Sequence, residues 1–68
     1  MTRQEASSLK YLDSAWIKNG KGWDRFVMMV RKDEDHVYGQ VWDFSGDAET
    51  PRLRMEVVDI STLHKERV

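Results

Sequence analysis

Apolar positions along the chain change their spacing from one stretch to the next. Ala6, Leu9, Leu12 and Trp16 recur at intervals of three, three and four, which places them on one stripe of a helix. Thr2-Arg3-Gln4-Glu5 has the form of a capping box. Lys18-Asn19-Gly20 supplies a cation for the last turn and then two residues that tolerate a left-handed cap. Box and stripe together predict a helix over residues 3–17. Asn19-Gly20 is also a strong two-residue hairpin turn. Used that way, it makes residues 15–18 a strand, with Lys18 opposite Lys21 and Trp16 opposite Trp23. Facing aromatics favour that pairing and facing lysines oppose it.

Residues 23–32 read as a strand. Phe26-Val27-Met28-Met29-Val30 is apolar on both faces, so both faces need cover. One can take the helix; the other needs a curled sheet or a second subunit. Asp33-Glu34-Asp35 is a polar turn. Residues 36–44 form a second strand, with Tyr38, Trp42 and Phe44 on one face and Val37, Gly39 and Val41 on the other. Gly39 within a strand marks a bend or a close backbone approach. Residues 45–51 are a loop. Residues 52–60 form a third strand, where Leu53, Met55 and Val57 alternate with Arg52, Arg54 and Glu56. Val58 and Ile60 then switch the apolar face, as a bulge or a strand end would. Ser61-Thr62-Leu63 is a short turn, and residues 64–68 are expected to fray.

These elements predict a single domain over residues 1–68, of α+β class: an N-terminal helix packed on a three-stranded antiparallel meander. The run Gly39-Gln40-Val41-Trp42-Asp43-Phe44, a loop, and then Arg54 to Ile60 and a turn resembles the last strands of small SH3-like barrels. That resemblance covers about a third of the chain. It implies an SH3-like partial β-barrel as the alternative fold, above all if residues 15–18 are a strand.

At 68 residues the core is small. Domains of this size usually draw on disulfides, metals or a partner subunit. The chain has no cysteine, which excludes disulfides and Cys-based metal sites. A homodimer is then the remaining source of support. No apolar run reaches the ~20 residues of a membrane span, and no signal-peptide pattern opens the chain; the expected location is cytoplasmic. The formal net charge is −1, yet the acids Asp33, Glu34, Asp35, Asp43, Asp47 and Glu49 crowd a stretch that holds no Lys or Arg. The middle of the chain is therefore locally acidic.

Candidate chemistry is sparse. Asp33-Glu34-Asp35-His36 has metal-ligating atoms, but consecutive turn residues diverge and the calcium-loop spacing is absent; a solvated turn is expected, with no metal and no cofactor. Ser45, Ser61 and His64 come without a nucleophile signature. Gly20-Lys21-Gly22 is only a fragment of a phosphate loop. No enzyme is expected. Two binding readings remain. In the first, a protein-interaction module or small regulator, of the kind encoded by bacteria and their phages, anchors an unidentified protein partner. Trp23, Tyr38 and Trp42 are its anchors, and Asp33, Glu34, Asp35, Asp47 and Glu49 its charged rim. In the second, single-stranded nucleic acid binds Arg25, Arg31 and Arg54 beside the same aromatics. The register around residues 33–35 bears on both. A three-residue turn puts Phe26 opposite Trp42 and Val30 opposite Tyr38, making an aromatic core face. A two-residue turn puts Val27 opposite Trp42 and Arg31 opposite Tyr38, making a mixed aromatic and basic face. Phe44 and Trp42 are expected in the core.

Overall fold

A computed structural model describes residues 1–44 and 51–67. The chain forms a one-turn helix α1 (Arg3–Ala6) and strands β1 (Ser14–Asn19), β2 (Gly22–Arg31), β3 (His36–Asp43) and β4 (Arg52–Asp59). A 3₁₀ turn (Ile60–Thr62) then leads into a two-residue strand β5 (Leu63–His64). All five strands belong to one antiparallel sheet of order β4-β3-β2-β1-β5.

The expected α+β arrangement, a helix over residues 3–17 on a three-stranded meander, does not form. The capping box is real: Glu5 N–H donates to Thr2 Oγ1 and Thr2 N–H to Glu5 Oε1, each at 3.1 Å. It starts a single turn. At Lys10–Asp13 the chain reverses instead: Asp13 N–H donates to Lys10 C=O at 2.9 Å, and Asp13 Oδ2 accepts from Lys10 N–H. Leu12 takes a left-handed φ of 70° there, a conformation that costs a side-chain-bearing residue about 1 kcal/mol. Residues 14–19 then alternate, with Ala15 buried and Trp16 facing the other side. A period of two suits this stretch as well as the helical stripe did, and sheet pairing on both flanks decides for the strand.

The hairpin reading of this region was one residue out of place. The turn uses Gly20-Lys21, with Asn19 paired to Gly22, Lys18 to Trp23 and Trp16 to Arg25. Gly20 has φ 59° and Lys21 does not lie in the positive region, the pattern of a type II′ turn with glycine first. The slip separates Trp16 from Trp23 and relieves the clash of facing lysines.

β2 and β3 follow neither expected register along their whole length. Val30 faces Tyr38, as a three-residue turn requires, but Arg25 faces Trp42 and Phe26 faces Val41. A bulge between Met28 and Val30 absorbs the difference. On the far side of the bulge Phe26 and Met28 point inward. On the turn side parity has flipped, and Arg31 shares the face of buried Val37. β3 and β4 pair continuously from His36–Asp59 to Asp43–Arg52, so the apolar switch at Val58 is not a bulge.

β4 and β5 lie at opposite edges of the sheet, yet only residues 60–62 join them. Flat, the edges would be at least roughly 19 Å apart. The connector spans at most about 14 Å fully extended, and a 3₁₀ turn is shorter still. The sheet must therefore roll up, and one cluster inside the roll draws on every strand: Ala15, Phe26, Met28, Val37, Val41, Val58 and Leu63, with Ala6 and Ile60. Gly39 makes room for it. A Cβ there would lie 2.1 Å from Val27 O and 2.8 Å from the Phe26 ring, so the ring rests directly on the β3 backbone. Gly39→Ala must displace both backbone and a fully buried ring. We expect a loss of roughly 3 kcal/mol or more and a fall in Tm of roughly 15 °C, read by thermal unfolding. Gly20→Ala, with open space around it, should cost only about 1 kcal/mol, from its positive φ.

Candidate functional site

Facing residues in neighbouring strands share a side of the sheet, so the registers sort the surface. One file runs across all five strands: Leu53, Trp42, Arg25, Trp16 and His64. It lies on the outside of the roll, because its neighbours Val41, Phe26, Ala15 and Leu63 are buried within. Lys18 and Trp23 form the next pair on one flank, and Val57, Tyr38 and Val30 stand on the other. All three tryptophans and Tyr38 are thus on one face. Trp42 is not a core residue, and Phe44 is exposed. Inside the roll the small residues Ala15, Val37, Gly39 and Val41 pack around Phe26, and the larger rings are turned out.

The face has two characters. Toward β5 each aromatic carries a cation. Lys18 Nζ is 4.8 Å from the Trp23 ring centre, the Arg67 guanidinium 4.5 Å from Trp16, and Trp23 meets His64 edge to face at 5.3 Å. His64, expected in a frayed tail, is half of β5. Toward β4 the face is apolar. Val30 is 49% exposed, Leu53 49%, Met55 44% and Val57 50%, beside half-buried Tyr38 and Trp42. Lys32 Nζ sits 5.5 Å from the Tyr38 ring, and Trp42 Nε1 donates to Gln40 Oε1 at 3.2 Å.

The residues singled out in the sequence do not form one site. Trp23, Tyr38 and Trp42 share the outer face, but Asp33, Glu34 and Asp35 sit at the β2–β3 tip, at one end of the roll. There Arg3 holds Asp35 through Nε at 2.8 Å and Nη2 at 2.9 Å, and approaches Glu34 at 3.3 Å. Asp47 and Glu49 lie outside the described residues. Of the three arginines, only Arg25 is on the outer face. The flipped parity turns Arg31 inward, where its guanidinium donates to the Ala6 carbonyl. Arg54 is engaged at the other end of the roll. Its Nε donates to Glu56 at 2.6 Å, and it lies within 3.7 Å of Asp24 and 3.6 Å of Asp43. Asp24 is only 2% exposed and accepts also from Asn19 Nδ2 at 3.2 Å. This ionic cluster caps the core, as α1 does at the opposite end. Trp16 was not singled out as a site residue, because the helical reading put it on another element.

The tip carries a proton-sensitive arrangement. His36 Nδ1 is 2.9 Å from Asp33 Oδ1, and Nε2 is 3.8 Å from Asp59 Oδ2. The hydrogen bond to Asp33 raises the His36 pKa above its ordinary value. The Asp35 N–H bond, and then His36, hold Asp33 below the usual carboxylate range. The Ser61 N–H does the same for Asp59. Among the described residues no group of three His, Cys, Asp or Glu is placed to hold a metal. No helix among them is long and apolar enough to cross a membrane. Comparison with protein-family models, curated proteins and solved structures gave no match.

A raised histidine pKa stabilises the fold fully below the unfolded-state value of about 6.5, and the effect is lost as pH rises through the folded value. Wild type should therefore exceed His36→Gln in Tm at pH 5.5, and the gap should close by pH 8.5. Parallel curves over that range would show that the His36–Asp33 contact carries no linkage. The depressed Asp33 and Asp59 act oppositely: their contribution is present at neutral pH and is lost on acidification through their folded values.

Proposed function

We propose that this protein is a small non-catalytic interaction module that docks a protein partner on the outer face of its rolled sheet. One observation supports this reading most: the exposed apolar row Leu53, Met55 and Val57 on the outer face, flanked by Trp42, Tyr38 and Val30, with Gln40 the polar residue between the two rings. Contiguous exposed apolar surface of this kind marks protein interfaces, and Trp and Tyr are the side chains that most often anchor them. Trp42 is the central anchor with Leu53 beside it, and Tyr38 is the second anchor, between Val57 and Val30. The acidic tip, tied to Arg3 at one end of the roll, plays no part in docking. The cysteine-free composition suits a regulator working in a reducing compartment such as the cytoplasm.

A second reading rests on a separate observation. Arg25 stands between Trp42 and Trp16 in the outer file, and Lys18 and Arg67 lie beside it on the tryptophan rings. Aromatics alternating with cations are a stacking surface for single-stranded nucleic acid. The same cations already cover ring faces that bases would need, so this reading ranks second.

The two are separated by probe and by salt. Peptides selected from a displayed random library on wild type should lose roughly 30-fold or more in affinity on Trp42→Ala, the scale of a hot-spot residue. Val30→Ser should weaken them, Arg31→Ala should leave them unchanged, and added salt should matter little. Selected peptides indifferent to both Trp42→Ala and Val30→Ser would overturn docking at this face. A labelled single-stranded oligonucleotide that binds tightly, with affinity falling steeply as salt rises, would promote the second reading.

A further inference from the structure

We infer that β4 pairs antiparallel with β4 of a second copy of this chain, with Met55 opposite Met55, joining two sheets into one. This stands on the edge of β4, which no strand among the described residues covers, and so it goes beyond the docking face proposed above.

The direction of the backbone groups is fixed by two hydrogen bonds. Ile60 N–H donates to Asp35 C=O at 2.9 Å, and these two residues continue the register in which Asp59 faces His36. Along an antiparallel strand the N–H and C=O of one residue point to the same side, and that side alternates. The even-numbered residues of β4 therefore bond β3. Consistently, Lys32 N–H donates to His36 C=O at 3.0 Å, which turns even positions of β3 toward β2 and leaves its odd positions for β4. Leu53, Met55 and Val57 then present both backbone groups to the open edge.

Among the described residues that edge lacks most of the usual protections, its inward-pointing charges being Arg54 and Glu56. Natural edge strands are blunted by bulges, lysines, proline or brevity. β4 runs for eight residues, has no register shift against β3, and contains neither lysine nor proline. The opposite edge, β5, is two residues long. A long, regular edge with an apolar outer row calls for a strand to cover it.

The sequence of β4 is complementary to its own reverse in one register. With Met55 at the two-fold axis, Leu53 faces Val57 of the second copy and Arg54 faces Glu56. All three outward-directed residues then fall in pairs that exchange both backbone bonds. Moving the axis to Arg54 sets arginine against arginine, and moving it to Glu56 sets glutamate against glutamate; like charges directly opposite are destabilising. Shifting by one residue would bring outer side chains opposite inner ones. Of these registers the Met55 one satisfies apolar, charge and backbone demands together, and it sets the outer row Leu53, Met55 and Val57 beside the same row of the second copy while its outward side stays open.

Light scattering across a concentration series should give a species of twice the 8.0 kDa chain mass. Met55→Cys brings two thiols onto the axis, where Cα atoms in such a pair lie about 5.5 Å apart, within disulfide reach. It should cross-link under mild oxidation, in a chain that has no other cysteine. Leu53→Cys alone should not, since its two copies would be about 14 Å apart, whereas a mixture of Leu53→Cys and Val57→Cys should yield the mixed disulfide. Met55→Lys should raise the dimer dissociation constant roughly tenfold or more with an unchanged circular dichroism spectrum. A monomer throughout the series overturns the inference. So does a dimer that Met55→Lys leaves intact, or one in which Leu53→Cys cross-links as readily as Met55→Cys. The peptide measurements on Trp42→Ala and Val30→Ser do not involve this edge, so either proposal can fail while the other stands.

Discussion

Asp59 and Leu63 belong to opposite edges of one sheet, and three residues must carry the chain between them. This constraint on reach shapes the rest of the molecule. It forces the sheet to roll, the roll creates an inside, and the inside is narrow. Phe26 occupies its centre because Gly39, diagonally opposite on β3, has no side chain to meet the ring. Rings that would fit between two separate layers have no room here. The bulge at Met29 also belongs to this geometry, since bulges raise local twist and bend the strand that holds them.

A roll has open ends, and the two ends of this one are closed differently. At one, α1 lays Ala6 into the core and Arg3 ties the turn to Asp35. At the other, Asp24 is taken out of water beside Asn19 and Arg54. A buried carboxylate is tolerated where charged and hydrogen-bonding partners reach it. The acid-rich surroundings of Arg54 leave that end ionic, and the apolar and cationic side chains remain for the outside of the sheet.

Much of the sheet was legible in the sequence, and its orientation was not. β2, β3 and β4 fall within a residue or two of the expected strands because alternation and turn residues mark them clearly. The alternation in β4 shows that Leu53, Met55 and Val57 share a face, but says nothing of which face is inside. The usual assumption puts apolar residues in. Here Arg54 and Glu56 sit on the inner side, at the ionic end, and the apolar row faces out. Trp42 and Phe44 misled in the same way. β1 was masked by a helical stripe and a genuine capping box that the turn at Lys10–Asp13 cuts short. β5 could not be read at all, since two residues carry no period. The candidate face was thus half visible: the aromatics were named, but Asp33, Glu34, Asp35 and two of the three arginines grouped with them went to the ends of the roll.

The shortest strand closes the roll and holds its seam with the least. β5 joins β1 through Trp16–His64 and Ile17–Leu63 alone, while every other strand pair is several times longer. These contacts bridge residues far apart in sequence, so they form at the greatest loop-closure cost and after the local hairpins. Native proteins open first where few backbone bonds oppose opening. The seam between β1 and β5 is therefore the place where amide protons exchange with solvent ahead of the rest of the sheet. Each such opening briefly bares the edge of β1 and frees Trp16 and Trp23 from their partners His64 and Arg67.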